Sequence, residues 1–449
     1  MRKKTGKKLL PTQIIAITFA LVILVGAVLL CLPVASRSGQ SLGFRTSLFT
    51  ATSATCVTGL ILGDTWTLWS GFGQTVIITL IEIGGLGFMS VASLVIFMLR
   101  RKIGLRQKMV IAQAFSVEEM AGVVSIQKWV LLGSLIIQTT GALVLFLRFL
   151  PQYGWLRALK WGVFHAVSAF CNAGFDILGS VSGGAGMMYF QNDPIVLITL
   201  MALIVIGGLG FFVWQEIATR HLFRKFRIYT KLVLLTSAVL ILGGALLFGI
   251  LEWNNPQTLG AMPVWQKILN AFFQSVTTRT AGFAAIDQAA MTEGSKALSV
   301  LLMLIGGASG STAGGVKMVT FLVLLLFVIS RARGRSTVTV FRRTIPQGKV
   351  LDAITLISLV VGLAFLGAVF ITVTSPVGFT DALYETASAL ATVGLTAGVT
   401  PLLGVPAQIM IIIFMYFGRV GILTISLGFM MGDRAEERFR YAETNVLIG

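Results

Sequence analysis

The chain has 449 residues, of which 56% are hydrophobic and only 12% charged, and its mean hydropathy is +0.89. A soluble chain carries about a quarter charged residues, so this one has too little polar surface to cover a water-soluble body. The net charge of +18 would suggest nucleic-acid binding in a soluble protein, but here the basic residues sit in short runs between apolar segments, as topology determinants of a membrane protein do.

The N-terminus, Met1 to Lys8, is basic and precedes an apolar stretch to Leu32. That stretch is long enough to span and lacks a small-residue cleavage site, so it reads as a retained helix rather than a signal peptide. A spanning helix needs about 20 mostly apolar residues. Eight segments qualify: Pro11–Leu32, Gly71–Leu99, Lys128–Leu150, Pro194–Ile217, Thr230–Leu251, Ala297–Ile329, Val350–Thr374 and Pro406–Met431. They pair as span, loop, span, four times over.

Inside each intervening loop lies a small, hydroxyl-rich run ending in glycine. The runs are 53–59 (SATCVTG), 168–174 (SAFCNAG), 276–282 (VTTRTAG) and 388–394 (SALATVG). Their glycines, Gly59, Gly174, Gly282 and Gly394, recur at intervals of 115, 108 and 112 positions. Each run follows an apolar segment too short to span: Leu48–Ala54, Trp161–Phe170, Ile268–Val276 and Ala382–Leu390. Such a segment reads as a re-entrant half-helix, and irregular backbone at membrane depth is tolerated only where it is enclosed by protein or lines a wet cavity. One loop of this kind would be an ordinary hydroxyl-rich turn. Four in register, at a fixed internal period, indicate four homologous units around an axis.

The expected fold is therefore an all-α polytopic membrane protein, with eight transmembrane helices in four span–re-entrant loop–span repeats around a central pore. The repeats are residues 1–99, 100–217, 218–331 and 332–449, the second with a cytoplasmic linker, the third with an intramembrane loop and the fourth with the C-terminal tail. Each half-helix points its C-terminus, with its partial negative charge, toward the membrane centre and favours a cation on the axis. Carbonyls of Thr55, Cys56, Val57 and Thr58, of Phe170, Cys171, Asn172 and Ala173, of Thr278, Arg279, Thr280 and Ala281, and of Ala391, Thr392 and Val393 would replace the water around it. The glycines supply conformations that a β-carbon would strain.

The second spans repeat as well: 83–88 (IGGLGF), 206–211 (IGGLGF), 305–308 (IGGA) and 417–421 (FGRVG). No strand precedes these glycines, so they read as close helix packing with room for hinges rather than as a dinucleotide site. The third differs from its siblings, which keep ordinary helix sequence. Gly306, Gly307, Ser309, Gly310, Ser311, Thr312, Gly314 and Gly315 make it a poor helix. It is expected to unwind into a loop below the filter. Lys317 just after it and Arg419 at the equivalent depth of the fourth unit put two positive charges on a cation path, which reads as a gate; the alternative is a packing kink whose cations are satisfied by carbonyls. Arg279 must face away from the axis, with Glu385 as its expected partner. Asp64, Asp176 and Asp287 lie just beyond three of the glycines. They are read equally well as an acidic outer vestibule or as ordinary solvated loops.

Five basic clusters hold 24 of the 35 Lys and Arg residues: 2–8, 100–108, 220–231, 331–349 and 434–440. All fall on one side of an eight-span arrangement, which makes that side, and both termini, cytoplasmic. Cys31, Cys56 and Cys171 lack metal-ligand spacing, and His165 and His221 are the only histidines, so neither metal nor histidine chemistry is indicated. An intramembrane enzyme is disfavoured because no nucleophile–base set is present. A coupled carrier fits broken helices, but carrier repeats are usually two inverted halves.

These four runs, ending 58–60 (TGL), 172–175 (NAGF), 279–283 (RTAGF) and 392–395 (TVGL), resemble the Trk/Ktr/HKT superfamily of potassium transporters over nearly the whole chain, and the eight-span form resembles the bacterial Ktr membrane subunit. The resemblance implies potassium uptake at the bacterial cell membrane, with K+ held by carbonyls of Thr55, Val57, Thr58, Asn172, Thr280 and Thr392. It also implies Na+ as an activator, a homodimer in the lipid bilayer, and a separate cytoplasmic RCK-type ring carrying ATP or ADP. No cofactor is expected on this chain, and no nucleic acid. In the family a glycine at the position of Gly59 goes with potassium and a serine with sodium. The gate loop maps onto Gly306–Gly315 and the gate-contacting arginine onto Arg419, and the runs Arg100–Lys108 and Arg331–Lys349 are candidate docking surfaces. Cys56 and Cys171 stand where threonine and asparagine are common. The second reading is a sodium-coupled or sodium-selective carrier of the same superfamily.

Overall fold

The computed structural model describes residues 11–87, 123–220 and 222–421. The basic runs at 2–8, 100–108 and 434–440, His221 and the far ends of the segments expected at 71–99 and 406–431 lie outside them.

The described chain is mostly helical. Four helices are long and apolar enough to cross a membrane: Thr12–Cys31, Gln127–Tyr153, Ile228–Glu252 and Gln347–Thr374. Each is followed by a shorter helix: Phe44–Thr55, Trp155–Phe170, Val264–Thr277 and Phe379–Leu390. Every short helix packs against the long one before it. Each ends one residue before an αR cap (Cys56, Cys171, Thr278 and Ala391), so each glycine run begins in the helix's last turn and continues past it. A second helix then leads away: Gly71–Leu86, Pro194–Leu209, Glu293–Leu304 or Val405–Val420. Three of these begin where the sequence supplies an N-cap acceptor. Ser70 accepts from the Gly73 amide, Asp193 from those of Ile195 and Val196, and Thr292 from that of Ser295.

The second helices close the architecture. Gly71–Leu86 packs on the short helix of the next unit, as do Pro194–Leu209 and Glu293–Leu304, and Val405–Val420 packs on Phe44–Thr55 of the first unit. The four units therefore form a ring in chain order. The Tyr416 hydroxyl donates to the Ala16 carbonyl at 2.7 Å, joining the last helix to the first.

The ring is polar inside and apolar outside. Thr52, Ser53, Thr55, Ser168, Thr277 and Ser388 are fully buried, whereas Val373 is 80% exposed and Val239 68%. Water would drive the opposite arrangement; a hydrocarbon surround permits this one, because apolar side chains face lipid at no cost and polar ones are sequestered inside.

Two expectations are corrected. The second spans are not continuous helices, and the third is not alone in breaking. Gly87, Gly210 and Gly421 end the helices before them with φ of +82°, +89° and +95°, which only glycine adopts without strain. After Gly210 the chain turns through 95° into Phe211–Arg220. The third unit stops at Leu304 and resumes at Met318. Nor is the described chain purely helical. Thr339–Val340 and Arg343–Thr344 pair antiparallel across Phe341 and Arg342, both at positive φ, inside the basic run before Gln347.

Candidate functional site

The four short helices bring the glycine runs together. Within each run the residue two before the glycine is left-handed: Val57 (φ +56°), Asn172 (+59°), Thr280 (+67°) and Thr392 (+51°). The glycine that follows is also at positive φ, at +96°, +68°, +84° and +94° in turn. The residue between them is not. Alternating handedness turns successive carbonyls toward the same side of the strand instead of alternate sides. A β-branched residue in the left-handed region carries strain of order 1–3 kcal/mol and persists only where its surroundings enforce it.

The enforcement is visible in the amides. Thr58, Ala173 and Val393 donate to Ser53, Ser168 and Ser388 carbonyls at 2.8 Å, and Ala281 to that of Thr277 at 3.0 Å. The Gly59 and Gly394 amides donate to the Ser53 and Ser388 hydroxyls, both at 3.0 Å. The Ser168 and Thr277 hydroxyls donate to the Phe175 and Phe283 carbonyls at 2.8 and 2.7 Å. These hydroxyls, recurrent in the sequence, thus fasten the loops from behind. The carbonyls of Val57, Thr58, Asn172, Ala173, Thr280, Ala281, Thr392 and Val393 belong to residues at most 1% exposed, and receive no hydrogen bond from the described residues. Buried carbonyls are seldom left without a partner, so this ring is a set of oxygen ligands suited to a weakly hydrated cation.

The runs also touch one another in order. A β-carbon on Gly59 would collide with the Ala173 carbonyl oxygen, one on Gly174 would lie 2.7 Å from that of Ala281, and one on Gly282 or Gly394 would collide with that of Val393 or Thr58. Each glycine is thus required twice, by its dihedral angle and by its neighbour.

Thr55 and Phe170 stand apart from the free carbonyls. The Thr55 carbonyl packs on Gly84, and the Phe170 carbonyl packs on Gly207 and accepts from the Thr312 hydroxyl at 3.0 Å. Gly418 packs likewise on the Leu390 carbonyl. The paired glycines of the second spans therefore seat the C-termini of the short helices.

Residues Ile305 to Lys317 form a loop at this level. The Gly306 amide donates to the Val316 carbonyl at 2.7 Å, and that of Met318 to Gly307 at 3.0 Å. The Ala308 and Thr312 amides donate to Gly208 and Gly207 of the second unit at 2.9 and 3.2 Å, and Gly310 accepts from the Phe211 amide at 2.8 Å. Ser309 accepts from the Tyr229 hydroxyl at 3.0 Å, and the Ser311 hydroxyl donates to Ala308 at 2.7 Å. Gly314 and Gly315 press on Thr392 and Ala391 of the fourth unit. Arg419 donates to the carbonyls of Gly84 (2.5 Å), Gly85 (3.0 Å) and Thr312. Lys317 donates to Ala313 at 2.7 Å. Both cations are thus satisfied by carbonyls, and Arg419 ties the loop to the first unit.

Arg279 faces away from the ring but does not meet Glu385. Its Nη2 donates to the Ser237 hydroxyl at 3.1 Å and lies 4.0 Å from the Met318 sulfur. Glu385 accepts instead from the hydroxyls of Thr396, at 2.9 Å, and Thr400. The threonines follow Gly394 in the same loop, so the local partners win.

The three aspartates have local duties. Asp64 accepts from the Thr67 amide at 2.8 Å, Asp176 from that of Leu178 at 3.2 Å and Asp287 from that of Ala289 at 2.9 Å. Burial pushes the Asp176 carboxyl up to about 6, and the Asp64 charge adds to the shift. Sequence reasoning missed Glu82 and Gln138, which meet at Cys171 behind the second run. A lone charge in the segment Gly71–Leu99 was the available signal.

The TrkH family, described as cation transport proteins, matches residues 10–438. The potassium/sodium uptake protein NtpJ of Enterococcus hirae is 40% identical over 100% of this chain and 99% of its own. The Ktr system potassium uptake protein B of Bacillus subtilis is 40% identical over 98% and 97%, and the Ktr system potassium uptake protein D of the same bacterium is 32% identical over the full length of both. The crystal structure of the potassium transporter TrkH from Vibrio parahaemolyticus superposes with a TM-score of 0.74, at 17% identity, over 95% of this chain and 86% of that one. These relatives are ion transporters rather than enzymes, and the overall fold is shared with the TrkH structure. The chain belongs to the TrkH family of cation transport proteins.

Proposed function

We propose that this chain is the ion-translocating membrane subunit of a bacterial potassium uptake system. The observation that carries the reading is the closed ring of four loops, with eight buried carbonyls that receive no hydrogen bond from the described residues. Potassium passes through this filter, and Gly59 sets its preference for potassium over sodium. The loop from Gly306 to Gly315, held by Arg419, is the gate. The four units are four membrane repeats with eight spans, both termini face the cytoplasm, and the protein resides in the bacterial cell membrane. It works as a homodimer under a separate cytoplasmic RCK-type ring that binds ATP or ADP, with Na+ as activator. The names of the Ktr relatives, each a protein of a Ktr system, support a partner subunit.

A second reading, a sodium-coupled or sodium-selective carrier of the same superfamily, is favoured by the potassium/sodium name of the Enterococcus hirae relative. Flux of K+ and Na+ into liposomes holding the purified protein, wild type and Gly59→Ser, separates the two. A pore passes potassium down its gradient, and Gly59→Ser, which pushes a side chain onto Ala173, loses the preference. Equal passage of both ions by both proteins overturns the filter assignment, and counterflow supports the carrier.

A further inference from the structure

Glu82 is the one acidic residue within the helix Gly71–Leu86, at a depth where a carboxylate is costly. It does not form an ion pair among the described residues. Instead two donors converge on it, through three contacts. Gln138, from the long helix of the second unit, gives its amide to both carboxylate oxygens, at 3.2 and 3.0 Å. The Cys171 thiol donates to Oε2 at 3.3 Å. Cys171 is fully buried and caps the short helix Trp155–Phe170, one residue before left-handed Asn172.

The same face of the helix also shapes the space around that thiol. Gly85, three residues on, has no side chain where a β-carbon would lie 2.5 Å from the Cys171 sulfur. Cys171 is thus seated by Gly85 below and drawn by Glu82 beside it. A thiol is a weak donor to a neutral acceptor; a carboxylate makes the contact stronger. Among the described residues the other runs have no equivalent: the Cys56 thiol meets no hydrogen-bond partner there, and Thr278 is held by its own helix through Ser275 at 3.0 Å.

We propose that Glu82 is a positioning residue for the second filter run: through the Cys171 thiol, and with Gln138 fixing the carboxylate plane, it sets the angle at which Asn172 and Ala173 present their carbonyls and so tunes the preference between alkali cations. This rests on the filter reading above. It goes beyond it by placing control of selectivity in a carboxylate that touches no ion.

The test is the K+ to Na+ permeability ratio in liposomes for wild type, Glu82→Gln, Cys171→Ala, Cys171→Ser and the double variant Glu82→Gln/Cys171→Ala. Wild-type preference for K+ checks the filter reading by itself; its absence would sink that reading and not merely this one. With it present, Glu82→Gln and Cys171→Ala are each expected to lower the ratio about tenfold, as loss of a hydrogen bond to a charged group does. Cys171→Ser, which keeps a donor, should retain it, and the double variant should be no worse than either single one. Unchanged ratios in Glu82→Gln and Cys171→Ala, or losses that multiply in the double variant, overturn the proposal. Should Glu82→Gln fail to fold, the Cys171→Ala and Cys171→Ser pair still decides: equal ratios in the two refute it.

Discussion

The carbonyl oxygen of Thr58 occupies the place where Gly394 would carry a β-carbon. This contact joins the last loop to the first, across more than three hundred residues of sequence. Gly394→Ala therefore strikes a backbone atom that cannot rotate away, at a φ of +94° that alanine resists. The expected cost is about 1–3 kcal/mol in stability, with K+ flux lost by at least tenfold. Gly362→Ala, a helical glycine with open space around it, should change neither. Liposome flux and thermal melting check both variants.

The loop from Ile305 to Lys317 is tied down by groups that can be removed singly. Thr312→Val deletes the hydroxyl that reaches Phe170 while keeping the side-chain shape. Arg419→Ala deletes the bonds to Gly84, Gly85 and Thr312 together. Both should raise K+ leak through the isolated subunit, Arg419→Ala by tenfold or more and Thr312→Val by about fivefold, which corresponds to the ~1 kcal/mol of one net hydrogen bond. Flux into liposomes without any partner subunit reads this directly.

Arg279 and Glu385 should behave as strangers. In a double-mutant cycle of Arg279→Lys and Glu385→Gln, the stability losses should add to within about 0.5 kcal/mol. Glu385→Gln with Thr400→Val should instead show coupling above that level, because Thr400 donates to the carboxylate. Melting temperatures in detergent provide the measurement.

Asp176 gives a pH signature. Its carboxyl, raised to about 6, is charged at pH 7.5 and largely neutral at pH 5. If it helps gather cations at the mouth, K+ flux at low salt should fall as external pH drops through 6, and Asp176→Asn should flatten that fall. The sign for stability is opposite. Ionising a carboxyl whose folded pKa lies above its unfolded value costs folding free energy above pH 6 and nothing below about pH 4. Asp176→Asn should thus melt higher than wild type at pH 7.5 and no higher at pH 4.

Much of this was legible in the sequence because it repeats. The spacing of Gly59, Gly174, Gly282 and Gly394 marked the four loops, and the poor helix propensity of 306–315 marked the broken span. The breaks at Gly87, Gly210 and Gly421 were not read, since a single glycine in an apolar run looks like packing until a positive φ is seen. Nor could the partner of Arg279 be read. Charge complementarity pointed to Glu385, but the hydroxyls of Thr396 and Thr400 are nearer in the chain, and Ser237 carries no charge to announce itself. Glu82 and Gln138 are 56 positions apart, and no periodicity links them.

The ring closes only when its last member arrives. Gly394 meets Thr58, and Tyr416 meets Ala16, long after the first three loops have left the ribosome. A nascent or truncated chain therefore holds an open horseshoe with one wall missing. Such a fragment lacks one of the four walls that enclose the free carbonyls, so the ring is a property of the whole chain and of no shorter piece of it.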